Sequence, residues 1–330
     1  MRAVIVREFG SPDSFRIEEV PEPELAPHEI CVRVHAAAAN FVDALVSSGE
    51  YQIRPTLPYI PGAEFGGVIE GIGADVPSLK PGDRVCGSQV SGAYGEKTVA
   101  SSSVVFRIPD SMSFAEAAIF RASNGTAYHA LVQRANLRAG ETVLVLGAAG
   151  GVGYSAVQIA KALGAHVIAC ASTEEKHTVA LAAGADAAIA SAVDGWRDRL
   201  KAALGDRPLN VVVDTVGGEL TEAAFRSLEW GGRHLVIGFA SGAIASIRAN
   251  LALVKGIALV GVDFRQFNLI EPDKAAANMA ALFDLYRAGH LPAPAIKLYP
   301  AGQFAQALSD ARSGAVLGRR VIDFSHWPVA

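Results

Sequence analysis

Two rhythms of apolar and polar positions divide the chain. Over residues 1 to about 110 the apolar positions come in short bursts separated by Pro and Gly. In 30-ICVRV-34, Ile30, Val32 and Val34 alternate with Cys31 and Arg33, the period of a half-buried strand. The stretches 66-GGVIEGIG-73, 82-GDRVCG-87 and 103-SVVFRIP-109 predict further short strands. MRAVIVREFG at the start predicts an edge strand. Many short strands with Gly and Pro turns suggest a barrel-like, all-β unit. The segment 113-SFAEAAIF-120 predicts a helix, with Ser113 as N-cap and Glu116 completing a capping box.

From about residue 124 strand and helix alternate. Predicted strands lie at 143-VLVLG, 166-HVIACAS, 187-AAIA, 210-NVVVDTVG, 233-RHLVIGF and 257-IALVGVDF. Helices are expected from about 152 and 174, and near 196–204 and 219–228. Continuous apolar strands between helices imply a parallel sheet covered on both faces. Residues 272–289 carry an amphipathic helical pattern, with Gly289 as the expected C′ residue. The tail 318-GRRVIDF-324 predicts a strand returning to the first domain. The expected domains are therefore 1–123 with 267–330, and 124–266.

Composition narrows the function classes. Of 330 residues, 51% are hydrophobic and 19% charged, with a net charge of −4. This suits a globular protein with ample core. No basic block is visible, so no nucleic-acid partner is expected. No run of 18 apolar residues lacks polar or Gly breaks, so no membrane span is expected. The N-terminus lacks the charged-then-apolar order of a signal peptide. Cys31, Cys86 and Cys170 lie far apart, which suits a reducing cytoplasm and suggests neither disulfides nor a cysteine-rich metal site.

The candidate chemistry starts at 148-AAGGVG-153. Ala148, Gly150 and Gly153 occupy the small-residue slots of a G-x-G-x-x-G turn. Gly150 lets the backbone approach a pyrophosphate, and Gly153 lets the helix pack closely on the sheet. The N–H groups at the helix start, including those of Gly151 and Val152, face the anion. About 20 residues on, an NAD-binding unit usually places Asp or Glu on the ribose hydroxyls. Here the predicted strand ends at Ser172, and Thr173 and Lys176 follow. A missing acid with a nearby cation suits a 2′-phosphate, so NADPH is the expected cofactor. Glu174 and Glu175 argue mildly the other way.

The order of parts resembles the medium-chain dehydrogenase/reductase superfamily. Within it, the chain is similar to the zinc-independent quinone oxidoreductases, the family that includes ζ-crystallin. The matching stretches are 38-AANFVDALVSSGEY-51, 58-PYIPGAEFGGVIEGIG-73, 81-PGDRV-85, 92-GAYGE-96, 125-GTAYHAL-131, 148-AAGGVG-153 and 318-GRRV-321. The resemblance implies a GroES-like β-rich catalytic domain joined to a doubly wound Rossmann cofactor domain. Zinc alcohol dehydrogenases place Cys and His ligands where this chain has Asn40 and, in 62-GAE-64, Ala63. An amide and a methyl group cannot replace a thiolate and an imidazole, so no metal is expected. Without a Lewis acid, an already electrophilic quinone or conjugated enone is the expected acceptor.

The resemblance implies that Asn40 lies beside the nicotinamide, where it hydrogen-bonds cofactor or substrate. Asp43, three residues on, would share a helix face with Asn40 and shape the site. Tyr51 matches a tyrosine taken as proton donor in related enoyl-thioester reductases. It either donates to a carbonyl oxygen or serves as an aromatic wall. Thr126 is expected near the carboxamide, or else as a helix-start hydroxyl. Gly238, Phe239 and Ala240 end one predicted strand, and Val262, Asp263 and Phe264 the next. Such strand ends are where doubly wound sheets bind ligands. Arg319 is a further cofactor candidate. Leu45 and Ser47 stand where many bacterial members carry Tyr and Arg, and Ser191 stands near a place often held by Tyr.

An NADPH-dependent reductase of quinones or related conjugated carbonyls is therefore the leading expectation. The alternatives are an enoyl-thioester or enone reductase on the same scaffold, and a non-catalytic NADPH-binding protein, crystallin-like or a sensor. The apolar last strands of the Rossmann sheet imply a homodimer joined edge to edge.

Overall fold

A computed structural model describes residues 1–327. It divides into two compact units: Met1–Ala122 with the chain from Ala293 onward, and Ser123–Pro292.

In the first unit, seven strands pair in the order Ile296–Pro300, Arg319–Asp323, Glu29–Ala38, Glu64–Ile72, Arg84–Ser88 and Val105–Arg107, while Lys97–Ser101 pairs with Glu29–Ala38. The organising strand is Glu29–Ala38. Its alternation is that of the sequence: Ile30, Val32 and Val34 are buried and Arg33 is exposed. It takes three antiparallel partners because Lys97–Ser101 pairs with residues 29–33 and the C-terminal strand with residues 36–38. Glu64–Ile72 pairs along residues 30–37, with register shifts between Cys31 and Val32 and between Val34 and Ala36. Such irregularities bend a strand and re-aim its edges. The C-terminal strand does return here, with Val321 opposite Ala38. Arg2–Ile5 and Arg16–Glu19 form a separate two-stranded sheet. The helix Phe114–Tyr128 opens with the expected capping box: Ser113 N donates to Glu116 Oε2 at 2.8 Å, and Glu116 N donates to Ser113 Oγ at 3.2 Å.

In the second unit, six parallel strands run in the order Ala187–Ala190, His166–Ala171, Thr142–Leu146, Val211–Asp214, Arg233–Val236 and Ala258–Gly261. This is the doubly wound Rossmann arrangement, whose order reverses beside its first strand. That strand, Thr142–Leu146, is wholly buried. Each of its Val and Leu side chains contributes about 1.5–3 kcal/mol by leaving water.

Three expectations are corrected. The expected return to the first unit at 267 falls instead at 293. The helix Pro272–Arg287 buries Met279, Leu282 and Phe283, and its Asn278 exchanges two amide hydrogen bonds with Gln133, at 2.9 and 3.1 Å. Gln158 Nε2 then holds Pro292 O at 2.8 Å. Those polar ties and the buried face keep residues 267–292 with the second unit. The strand expected through Phe239 stops at Val236, so Gly238, Phe239 and Ala240 form the turn beyond it. The strand expected through Phe264 stops at Gly261. Asp263 Oδ1 accepts from Gln266 N at 2.9 Å and caps a helix that starts at Phe264.

Candidate active site

The cofactor turn is built by three glycines with separate tasks. Gly147 ends the strand at φ +74°, a conformation that side chains disfavour. Its N–H and that of Ala148 both donate to Cys170 O, at 3.0 and 3.2 Å. Gly150 caps the helix Gly151–Ala162, and no side chain covers the cap. The first-turn N–H groups of a helix have no intrahelical acceptor, so those of Gly151, Val152 and Gly153 are open to an anion. A Cβ on Gly153 would lie 2.1 Å from Gly147 O, whereas one on Gly150 would come no nearer than 3.3 Å to the same atom. Gly153 therefore serves close packing, and Gly150 keeps the approach open. This geometry fits a dinucleotide pyrophosphate.

At the end of His166–Ala171, Ser172 and Thr173 are exposed. Thr173 Oγ1 accepts from Lys176 N at 3.3 Å and caps the helix Glu174–Ala182. Lys176 Nζ lies 3.2 Å from Ser172 Oγ. The hydroxyl and the cation expected to serve a 2′-phosphate thus meet, while Thr173 has a structural task as well.

Beyond the strand ends lies an open hollow of about 530 Å³, lined by Phe239, Val262, Asp263, Phe267, His129 and Arg134 among others. The Phe264 ring rests on Gly125, where an added Cβ would come within 2.4 Å of it. Phe264 is thereby next to the backbone of Thr126. Thr126 sits well inside the helix Phe114–Tyr128, which removes the helix-start alternative for its hydroxyl.

In the first unit, the half-buried Asn40 and the buried Asp43, Glu64 and Arg319 form one polar cluster. Asn40 N donates to Asp43 Oδ2 at 2.8 Å, and Asn40 Nδ2 to Glu64 Oε2 at 2.9 Å. Arg319 donates to Asn40 Oδ1 at 2.6 Å, and Ala122 N to Glu64 Oε1 at 2.6 Å. Asp43, Glu64 and Arg319 are 4%, 1% and 7% exposed, so each charge relies on the others instead of on water. Burial pushes the Asp43 carboxyl up to about 7; Glu64 adds to the shift, while the N–H groups of Asn40 and Ala63 and the Arg319 charge oppose it. Burial likewise raises Glu64, against the pull of Arg319, and lowers Arg319.

Asp43 lies on the helix Phe41–Ser48, which ends at Gly49 with φ +76°. The chain then turns back, with Tyr51 N donating to Leu45 O at 3.2 Å. Tyr51 is half-buried against the core. Just before it, Glu50 is clasped by Arg312 at 2.8 and 2.9 Å.

Glu64 is the member that sequence reasoning missed. The motif 62-GAE-64 drew attention for the residue it lacks. The available signal was a Glu opening an apolar strand, since a buried carboxylate must be paired. Among the described residues, no group of three or more His, Cys, Asp or Glu side chains is arranged to hold a metal ion.

Residues 26–123 match the family described as alcohol dehydrogenase GroES-like domain, and residues 151–281 the family described as zinc-binding dehydrogenase. The chain is 39% identical over 262 residues to quinone oxidoreductase-like protein 2 of Rattus norvegicus, covering 79% of this chain and 74% of that protein. It is 33% identical over 283 residues to the quinone oxidoreductase of Homo sapiens, covering 85% of each. Among solved structures, Escherichia coli quinone oxidoreductase complexed with NADPH superposes with a TM-score of 0.88 at 28% identity, covering 98% of this chain and 100% of that one. A mycobacterial quinone oxidoreductase superposes with a TM-score of 0.90 at 29% identity, covering 98% and 99%. With Asn40 and Ala63 where zinc-dependent relatives hold ligands, and with this likeness over most of its length, the chain belongs to the zinc-independent quinone oxidoreductase family of the medium-chain dehydrogenase/reductase superfamily.

Proposed function

We propose that this protein is an NADPH-dependent oxidoreductase that reduces quinones or similar conjugated carbonyls without zinc. The observation that carries the reading is the Gly150–Gly153 turn with no side chain over its cap, followed by a strand that ends at Ala171 without a carboxylate and offers Ser172 and Lys176. Glu174 and Glu175 fall in the first turn of the next helix. The NADPH complex of the Escherichia coli relative supports it.

NADPH, when bound, supplies the hydride. The backbone N–H groups of Gly151, Val152 and Gly153 would hold the pyrophosphate. Ala148 and Gly150, whose own N–H groups bond Cys170 O and Gly147 O, would leave room for it as small residues. Ser172, Thr173 and Lys176 would hold the 2′-phosphate. Thr126, Gly238, Phe239, Ala240, Val262 and Phe264 orient the nicotinamide end. Asn40 hydrogen-bonds cofactor or acceptor, Tyr51 meets the acceptor, Asp43 shapes the surroundings of Asn40, and Arg319 completes the cofactor contacts. Orientation and exclusion of water then carry most of the rate, because a quinone is already electrophilic.

The same reading makes the protein a cytoplasmic homodimer. Cys31, Cys86 and Cys170 are all free thiols, as a reducing compartment keeps them. The edge strand Ala258–Gly261 exposes Leu259 by half, and an edge of this kind invites a second copy. Sedimentation as a monomer at micromolar concentration would remove the dimer. No helix among the described residues is long and apolar enough to cross a membrane.

The test is a panel of quinones, enones and enoyl thioesters followed by NADPH absorbance, with and without exhaustive chelation. Quinone turnover that survives chelation is the expected result. Oxidation of NADPH by enoyl thioesters alone, or by no acceptor, overturns the reading.

A further inference from the structure

We propose that Glu64 is a positioning residue for hydride transfer, acting through Asn40. Its carboxylate and the Arg319 guanidinium grip the two ends of the Asn40 side-chain amide and fix which way it faces. This rests on the proposed role of Asn40 at the cofactor or acceptor.

The argument is one of donors and acceptors. A carboxylate only accepts hydrogen bonds and a guanidinium only donates them. Glu64 Oε2 meets the Asn40 NH₂ at 2.9 Å, and Arg319 meets the Asn40 carbonyl oxygen at 2.6 Å. Reversing the amide would set oxygen against carboxylate and NH₂ against guanidinium, so both contacts would turn repulsive. The Asn40 backbone is held independently by Asp43 Oδ2. Glu64 is itself pinned by Ala122 N on its other oxygen, so the grip has a fixed origin. After these bonds the Asn40 amide keeps one N–H, since its oxygen also faces the Asp43 backbone N–H across the capping box. A ligand carbonyl oxygen can accept from that N–H, and only a fixed amide offers it in a constant direction.

Stability alone accounts poorly for this cluster. Replacing buried charge groups by apolar residues is often neutral or stabilising, and their best-attested use is to specify one arrangement. A small misplacement at a reacting centre, by contrast, costs about a hundredfold in rate.

The test is a double-mutant cycle with Glu64→Gln, Asn40→Ala and both together. The holoenzyme is assayed with NADPH and 1,4-benzoquinone. NADPH affinity is read by fluorescence without an acceptor, and the Asn40 side-chain amide by ¹⁵N–¹H NMR of the cofactor-free protein, with Asn40→Ala supplying the assignment. Gln is nearly isosteric with Glu but both donates and accepts, so it no longer forbids the reversed amide. Glu64→Gln should lower kcat about 10- to 100-fold, leave the KM for the quinone and the NADPH affinity within about threefold, and displace the Asn40 amide signals. In the Asn40→Ala background the same change should alter kcat less than about twofold.

If Asn40→Ala slows turnover but Glu64→Gln does not, or if the two losses multiply, the positioning role is overturned while the role of Asn40 stands. If Asn40→Ala leaves kcat unchanged, both are overturned. Should Glu64→Gln fail to fold, Glu64→Asp keeps the charge and withdraws it by one methylene. Its partial loss of kcat should likewise vanish in the Asn40→Ala background, and persistence there overturns the proposal.

Discussion

His234 Nε2 lies 3.0 Å from Asp214 Oδ2, with the two side chains 0% and 2% exposed. An ionised carboxylate only accepts, so Nε2 carries the proton. Thr221 Oγ1 donates to the same oxygen at 2.7 Å, and the N–H groups of Val216 and Gly217 reach the other at 2.9 and 2.8 Å. Burial works to raise the Asp214 pKa, but His234, Gly217 and Thr221 outweigh it and hold it below the usual carboxylate range. The turn after Val211–Asp214 is thereby fixed beside the cofactor turn, where Thr215 Oγ1 donates to Leu146 O at 2.9 Å.

Removing the ring donor with His234→Phe should lower stability by about 1–3 kcal/mol in urea melts at pH 7, because a buried acceptor is left short of a partner. The depressed native pKa also fixes the acid response. The contribution of Asp214 is present above the unfolded pKa near 4 and is lost as pH falls through the lower native value. An unchanged midpoint at pH 7 would show that this contact adds nothing.

Gly153→Ala and Gly150→Ala should separate fold from cofactor. The first sets a methyl 2.1 Å from a backbone oxygen, so the helix must shift, and the thermal midpoint should fall along with NADPH affinity. The second meets only Gly147 O at 3.3 Å. It should leave the midpoint within a few degrees while weakening NADPH, because the methyl stands in the path of the phosphate. Equal loss of both properties in both variants would refute this division.

Lys176→Ala should weaken NADPH about 5- to 30-fold, the equivalent of roughly 1–2 kcal/mol, and leave NADH almost unchanged. Fluorescence titration with each cofactor reads it. Equal affinity of the unaltered enzyme for the two cofactors would contradict the assignment of Ser172 and Lys176.

How much of this was legible in the sequence depended on how local the cause was. The turn at 148–153 was legible because each glycine answers a constraint from its immediate neighbours. The capping box at Ser113 and the alternation at Ile30–Val34 were legible for the same reason. The helix Pro272–Arg287 was recognised, but its side of the division was not, because that rests on Asn278 meeting Gln133, 145 positions away. The role of Glu64 is not local, because its partners come from Asn40, Ala122 and Arg319. Propensity could not tell a three-residue extension of a strand from the turn at Gly238 and Phe239, since both favour apolar residues and Gly.

Asp43 supplies a pH prediction of the less usual sign. Its native pKa, near 7, lies above the ordinary 3.8. The native state therefore keeps this proton while the unfolded chain releases it. The group's contribution is full below about pH 4 and declines as pH rises towards 7, by up to about 4 kcal/mol. Asp43→Asn should flatten this slope, so that its midpoint relative to the unaltered protein improves from pH 5 to pH 8. Parallel pH profiles for the two proteins would refute it.

Tyr51→Phe should leave quinone turnover within about tenfold of the unaltered enzyme, below the 10²- to 10⁴-fold that proton transfer typically contributes. Enone reduction, if accepted, should fall further. Abolished quinone reduction with intact NADPH affinity would make the phenol an obligatory proton donor.

The grip on Asn40 also bears on redesign. Placing His at position 63 would not by itself turn this scaffold into a zinc enzyme. The Asn40 amide is already engaged at both ends, and a dication would have to settle close to a buried guanidinium. Charge repulsion from Arg319 would oppose it before any ligand geometry could be judged. Turning this site into a metal site would therefore require exchanging residues 40, 63 and 319 as a set, because a single replacement leaves a buried charge or amide unmatched.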